Sequence, residues 1–269
     1  ITIFAIAGVG LNLALGFGGM ISFGHAAFFG IGGYVAGIAS SHAFDQSLFM
    51  AWPFDIGGTD QMIPIWIVAI ATSALVASLI GVISLRTSGV YFIMITMAFA
   101  QMVYYAIVSI EEYGGDDGLV IDTRSELPGI SLDDPLQLFG LAYVSLAVAI
   151  LLVRMIVRSR FGMVVQGAKG NEERMITLGY NTYAYRLTAY VISGMMAGYA
   201  GALLGNFTTF ISPEMMDWSR SGELMFMVIL GGASSLFGPV LGASVFLLLE
   251  EVMSGFTVYW HLPFGIMLI

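Results

Sequence analysis

The chain has little charge and no cysteine. Only 10% of its 269 residues are Asp, Glu, Lys or Arg, whereas 58% are hydrophobic. A soluble domain carries about 25% charged residues, and a chain with so few could not cover an apolar core with polar surface. The lack of cysteine excludes disulfides and thiolate metal sites within this sequence. The composition therefore indicates a protein that exposes most of its surface to lipid.

Several stretches contain no Asp, Glu, Lys or Arg at all. They are 1–44, 61–85, 87–110, 135–153, 187–213 and 224–249. Each is near or above the roughly 20 residues that a helix needs to cross a bilayer. We therefore expect an all-α, polytopic integral membrane protein, with a single transmembrane domain over 1–269 and roughly eight transmembrane helices. Both ends are apolar, so we expect the natural protein to continue beyond each of them.

Basic and acidic residues are separated along the chain. Most of the nine Lys and Arg residues lie in or beside residues 158–185, the basic segment: Arg154, Arg158, Arg160, Lys169, Arg174 and Arg186. Residues 111–136, the outer acidic loop, carry Arg124 as their only base among many acids. The positive-inside rule places the basic segment in the cytoplasm and the acidic loop outside. The spans 62–85, 90–110, 137–157 and 187–206 then each join an acidic outer loop to a basic inner one. The net charge of −9 argues against a nucleic-acid partner.

Two glycine-rich motifs interrupt the apolar runs. Residues 18–24 read GGMISFG, and residues 231–238 read GGASSLFG. Such interruptions in two parts of a membrane protein indicate an internal repeat with broken helices beside a substrate path. Glycines also allow helices to pack closely, and the two interpretations are compatible. The run 224–249 is therefore one kinked span or two half-helices, and the charges do not decide between them.

Polar side chains inside the apolar runs are the candidates for a translocation path, since each must face protein or a cavity. They are Asn12, Ser22, His25, Thr96, Gln101, Ser234 and Ser235. For His25, an interhelical hydrogen bond is favoured over a substrate contact. We find no catalytic residues, no metal-ligand cluster and no phosphate-binding loop, since the only lysine, Lys169, lacks the required motif.

The middle of the basic segment predicts a short amphipathic helix. Asn171 is suited to the N-cap, and Glu172 and Glu173 suit the first turn. An apolar face of Met175, Ile176 and Leu178 follows, and Gly179 ends the helix. Such a helix either docks a partner or rests on lipid. The pattern alone supports both equally.

Four stretches together resemble one family, in that family's order along the chain. They read GLNLALGFGGMISFGHAAFFGIGGY, SGVYFIMITMAFAQMV with the later GGDDGL, SRFGMVVQGAKGNEERMITLGYNTYAYRLTAYVISGMMAGYAGALL, and MVILGGASSLFGPVLGA. They are similar to ABC importer permeases of the branched-chain amino acid family, the LivM type. The loops 40–60 and 120–136 carry little of the resemblance.

The resemblance implies a transport subunit rather than an enzyme, a single permease domain in the bacterial inner membrane. Its implied partners are a second, LivH-like permease, two cytoplasmic ABC ATPases that use ATP and Mg, and a periplasmic binding protein. This chain itself would bind no cofactor. The implied cargo is leucine, isoleucine or valine, with urea, short amides or aromatic acids as alternatives. An ion-coupled secondary transporter is less favoured, because the acidic residues lie outside the charge-free runs.

The resemblance makes the short helix of the basic segment a coupling helix that seats in a groove of the ATPase. The implied coupling residues are Arg160, Gly162, Asn171, Glu172, Glu173, Met175, Ile176, Leu178 and Gly179. The sequence departs here from the general pattern E-A-A-x-x-x-G, having Glu173-Arg174-Met175 before the glycine. On the outer side, Asp116, Asp117, Glu214 and Asp217 are either contacts for a binding protein or simply solvated loop charges.

Overall fold

The computed structural model describes residues 1–44, 48–50, 56–121, 124–125, 134–255 and 265. Within these residues there are ten α-helices: α1 Thr2–Asn12, α2 His25–Phe44, α3 Met62–Ser84, α4 Val90–Val108, α5 Pro135–Arg158, α6 Arg160–Gly170, α7 Glu172–Thr177, α8 Thr182–Thr208, α9 Trp218–Gly231 and α10 Gly238–Ser254. Short antiparallel ladders pair β1 Leu48–Met50 with β2 Ile56–Gly57, and β3 Leu119–Val120 with β4 Phe210–Ile211. The all-α prediction is confirmed. The loop acids Asp122, Glu126 and Asp133 lie outside the described residues.

Four of the described helices are long and apolar enough to cross a membrane: α3, α4, α5 and α8. They lie where the charge-free runs predicted spans, with ends that differ by a few residues. A polytopic helical membrane protein is therefore confirmed, and the number of eight spans stays a prediction.

Several helices begin at a short polar side chain that accepts a hydrogen bond from the first turn. Asp134 accepts from the amide of Leu136 at the start of α5, with Pro135 in the first helical position. Ser159 separates α5 from α6, and Asn181 caps α8. These caps satisfy backbone donors that a helix start leaves free. They explain why α5 and α8 begin where they do.

Close glycine contacts pack α8 against α2. A Cβ placed on Gly32 would lie 1.8 Å from the carbonyl oxygen of Gly198, and one on Gly201 would lie 1.7 Å from that of Phe29. Without a strong hydrophobic drive between helices in lipid, such backbone contact is what allows dense packing. The packing interpretation of the glycines is confirmed for this helix pair.

The run 224–249 forms two helices rather than one kinked span. α9 and α10 are separated by the non-helical residues 232–237 and pack as an antiparallel hairpin. A Cβ on Gly242 would lie 1.7 Å from the carbonyl oxygen of Met227, so the hairpin requires glycine there. The question that the charges left open is thus decided by packing.

The two ends of the bundle carry different elements. β3 and β4 join the acidic loop to the residues after α8 at one end. At the other end the hydroxyl of Tyr183 donates to the carbonyl of Val82, 2.9 Å away, tying the start of α8 to the end of α3. α5 connects the acid-rich end to the base-rich end, in agreement with the charge pattern.

Candidate functional site

The first glycine motif is a break between two helices. A π-helical turn at Leu13–Phe17 follows α1, residues 18–24 are non-helical, and α2 begins at His25. We call residues 18–24 the first break. Gly19 there has φ of +68°, a left-handed conformation that glycine adopts without strain. The broken helix predicted from the motif is confirmed.

Side chains from other helices accept hydrogen bonds from backbone amides around the first turn of α2. The amide of Phe23 donates to Thr96 Oγ1 (3.3 Å), and that of Ala26 donates to Ser221 Oγ (2.9 Å). The amide of Gly24 donates to Ser22 Oγ, which also shares a hydrogen bond with the hydroxyl of Tyr190. Broken backbone is tolerated at membrane depth only where protein covers it. α4, α8 and α9 supply that cover.

His25 links three helices. Ser193 Oγ donates to the carbonyl oxygen of Gly10 (2.6 Å) and lies 2.8 Å from His25 Nε2. Since the serine hydrogen goes to Gly10, Nε2 carries the imidazole proton and donates to Ser193. The ring is fully buried and meets Phe28 and Tyr190 edge-on. The structure thus gives His25 an interhelical hydrogen bond.

The second glycine motif is also a break, at residues 232–237, which we call the second break. It contacts α1 through Asn12, a buried residue whose amide makes a pair of hydrogen bonds. Its Oδ1 accepts from the amide of Ser234 (3.1 Å), and its Nδ2 donates to the carbonyl of Ser235 (2.8 Å). Ser234 has φ of +72°, and its hydroxyl donates to the carbonyl of Gly16 (2.5 Å). The two breaks are therefore joined through α1 and its π-helical turn.

Lys169, near the end of α6, reaches the same point. Its Nζ donates to the carbonyl of Gly16 (2.6 Å) and to Ser234 Oγ (3.2 Å). From the sequence, Lys169 counted only as one of the bases of the basic segment. The one signal was that Lys169 is the only lysine in the chain.

Gln101 lies apart from both breaks. Its Nε2 donates to Asp217 Oδ1 (2.5 Å), and Ser219 Oγ donates to Asp217 Oδ2 (2.6 Å). Burial raises the pKa of the Asp217 carboxyl, but hydrogen bonds from Ser219 and Gln101 lower it by more, so the pKa lies below its ordinary value. Asp217 is thus half-buried at the start of α9 rather than a freely solvated loop charge.

The seven predicted path residues fall in three places. One group lies at the first break: Ser22, His25 and Thr96. Another group joins α1 to the second break: Asn12, Ser234 and Ser235. Gln101 lies apart and pairs with Asp217. Their part in a substrate path stays a prediction.

The predicted helix in the basic segment is present as α7. Asn171 Oδ1 accepts from the amide of Arg174 (2.9 Å), and Gly179 has φ of +90° just after the helix. Ile176 and Leu178 are 55% and 65% exposed. Met175 differs from the expected apolar face, because it turns inward and packs on Gly167 of α6. The exposed apolar surface of α7 is therefore smaller than the sequence predicted.

Other predicted coupling residues have distinct structural settings. Glu172 accepts from Arg186 Nη1 (3.0 Å) and from Thr182 Oγ1 (3.1 Å), which ties α7 to α8. Gly162 lies at the tight corner between α5 and α6, where a Cβ would come within 2.4 Å of the carbonyl of Ile156. Arg160 and Glu173 are exposed. Among the described residues, no group of three His, Asp or Glu side chains is placed to hold a metal ion.

The model of a family described as "Branched-chain amino acid transport system / permease component" matches residues 1–269. The high-affinity branched-chain amino acid transport system permease protein LivM of Salmonella typhimurium is 26% identical, and that of Escherichia coli is 25% identical. Each match covers 98% of this chain, which spans 64% of the relative's length.

A third relative has a different named cargo. The nucleoside ABC transporter permease protein NupC of Lactococcus lactis is 29% identical over 44% of this chain and 38% of its own length. No solved structure matches the chain.

Proposed function

Since the chain belongs to the family of branched-chain amino acid transport system permease components, we propose that it is the membrane subunit of an importer for leucine, isoleucine and valine. The family match along the whole chain, with the LivM relatives, carries this proposal. The chain is a permease component of an ABC transporter, a transport component rather than an enzyme.

The proposed complex contains a second, LivH-like permease and two cytoplasmic ABC ATPases that use ATP and Mg. A periplasmic binding protein delivers the amino acid, and the complex resides in the bacterial inner membrane. The exposed Ile176 and Leu178 on α7 support a docked ATPase, because the Asn171 cap and the Glu172–Arg186 ion pair hold this helix in place. A fixed apolar surface loses little entropy when a partner covers it.

The two breaks suggest how ATPase movement reaches the transport path. Ser22, Thr96 and Asn12 already bond the backbone of a break. For one of them to bind substrate instead, a buried hydrogen bond must open, at about 1–3 kcal/mol. We therefore assign these side chains to holding the backbone of the two breaks in place. Gln101 remains a candidate for contact with the amino acid, and its hydrogen bond to Asp217 adds that carboxylate as a new candidate.

A second cargo class is favoured by one observation. The similarity to a nucleoside permease indicates that membrane subunits of this kind serve different substrates. The cognate binding protein would decide between them, and calorimetry against leucine, a nucleoside, urea and an aromatic acid is the measurement. Leucine binding supports the proposed cargo, and binding of a nucleoside alone contradicts it.

The ATPase contact is tested by placing a carboxylate on the exposed face of α7. We expect Ile176→Asp and Leu178→Asp to lose co-purification of the ATPases and ATP-driven leucine uptake. An unpaired carboxylate buried in that contact destabilises it by roughly 3 kcal/mol, about a hundredfold in affinity. Thr177→Asp, which adds the same charge at a polar position of the same helix, is the matched control. ATPases that stay bound to both variants would exclude these residues from the contact.

A further inference from the structure

We propose that Lys169 is a positioning residue that fastens the two helix breaks to α6, so that the breaks move with the basic segment when the ATPases act. This rests on the proposed function. Lys169 lies 153 positions from Gly16 in the chain and 65 from Ser234, yet its ammonium donates to both.

The acceptor at the centre of this contact is the carbonyl of Gly16. It lies in the π-helical turn at the end of α1, where the carbonyls of Leu13, Ala14 and Leu15 accept from backbone amides of the first break. It accepts from Lys169 Nζ and from Ser234 Oγ together. A lysine ammonium has three donors on a compact group, which suits two acceptors that lie this close.

The aliphatic part of Lys169 also fits its surroundings. A Cβ on Gly19 would lie 2.8 Å from Lys169 Cγ, so the lysine stem passes directly over this glycine. Gly19 is left-handed, which brings the backbone of the first break under the stem. Lys169 therefore contacts the first break, the π-helical turn and the second break at once.

α6 and α7 pack against each other, so we expect them to move together. Val164, Val165 and Ala168 are buried on the inner face of α6. Met175 of α7 packs on Gly167, two residues before the lysine. A displacement of α7 by an ATPase therefore reaches Lys169 through packed side chains.

The second break does not depend on Lys169 for its contact with α1 and the π-helical turn. Asn12 holds Ser234 and Ser235 with two hydrogen bonds, and Ser234 Oγ reaches Gly16 directly. Removing the ammonium leaves these bonds in place and deletes the polar contacts to α6, while the apolar packing of α6 near the π-helical turn stays. This separation of structural and coupling contacts makes the proposal testable.

The first experiment compares Lys169→Met with wild type in the complete transporter, reconstituted with its binding protein in proteoliposomes. We expect leucine uptake to fall about tenfold or more, as expected for loss of a charge-assisted hydrogen bond. Co-purified ATPase and the rate of ATP hydrolysis should stay near wild type. Arg158→Gln is the matched control, since Arg158 is an exposed cation of the same segment with no hydrogen bond or ion pair among the described residues.

Two outcomes would overturn the proposal: unchanged uptake in Lys169→Met, or parallel loss of uptake and ATPase binding, which would mean a role in assembly. If the wild-type transporter takes up no leucine, the proposed function fails instead, and the cargo identified by calorimetry replaces leucine in the assay.

A second experiment does not depend on the stability of the lysine variant. The chain has no cysteine, so spin labels at Gly170→Cys and Ala233→Cys report the distance between α6 and the second break. Both positions are exposed. We expect the same distance in nucleotide-free and vanadate-trapped wild-type transporter, because the two elements move together. A distance that changes between these states would contradict the proposal.

Discussion

His25 owes its position to residues far away in the chain. Ser193 lies on α8 and Gly10 on α1, and the hydrogen bonds from His25 through Ser193 to Gly10 join these helices to the start of α2. His25 and Ser193 are fully buried, and Gly10 is buried as well. This chain of bonds orients α1, α2 and α8 relative to one another, and a substrate contact of His25 stays a prediction.

We expect His25→Ala to lower the free energy of unfolding by about 2–4 kcal/mol, because it leaves a cavity and deletes a bond. Ser193→Ala should lower it by about 1–3 kcal/mol. The double variant should lose less than the sum, as expected for residues in contact. Thermal unfolding in detergent measures all three.

The control for this cycle is Ser78→Ala, whose hydroxyl donates to the carbonyl of Ala74 within its own helix. Additive losses would show that His25 and Ser193 act separately. Lost leucine uptake in His25→Ala with unchanged stability would instead place the imidazole in the substrate path.

The pairing of α2 with α8 depends on the absence of side chains. Gly32 and Gly201 let the two backbones approach so closely that a methyl group on either would overlap a carbonyl oxygen. Helices in lipid gain mainly from such packing. Gly242 allows the same close backbone contact between α9 and α10. Glycine therefore sets the arrangement of both helix pairs, α2 with α8 and α9 with α10.

We expect Gly201→Ala to lower the free energy of unfolding by about 1–3 kcal/mol, because the added methyl group must push α2 away. Gly140→Ala is the matched control: it lies in α5, where a Cβ would meet nothing within 4 Å. The control should change stability by less than about 1 kcal/mol. Equal effects of the two substitutions, measured by thermal unfolding, would contradict close packing at Gly201.

Charge is distributed unevenly between the two ends of the whole molecule. Exposed acids such as Asp116 and Asp117 lie at one end, and the basic segment with α6 and α7 lies at the other. α5 carries the chain from one end to the other. The positive-inside rule then fixes which end faces the cytoplasm.

We expect single cysteines at Asp117 and Thr177 to react from opposite sides of the membrane. A membrane-impermeant maleimide added to spheroplasts should label Asp117→Cys directly and Thr177→Cys only after permeabilisation. Both residues are exposed, so accessibility within the protein does not limit the reaction. Labelling of both from the same side would overturn the topology.

The sequence alone was sufficient for the membrane class, for the positions of α3, α4, α5 and α8, and for the limits of α7 between Asn171 and Gly179. These features depend on the composition of continuous stretches and on contacts within a few residues. They follow from the cost of placing charge in lipid and from the capping of helix ends.

Only the tertiary structure decided that the second break contacts α1 and its π-helical turn, that Lys169 reaches both breaks, and that Gln101 bonds Asp217. Asn12 and Ser235 are 223 positions apart, and no local pattern relates them. In lipid the hydrophobic pattern does not specify which helix faces which, because the surroundings are as apolar as the core. Backbone contact at glycines and a few buried hydrogen bonds make that choice, and both depend on the folded arrangement.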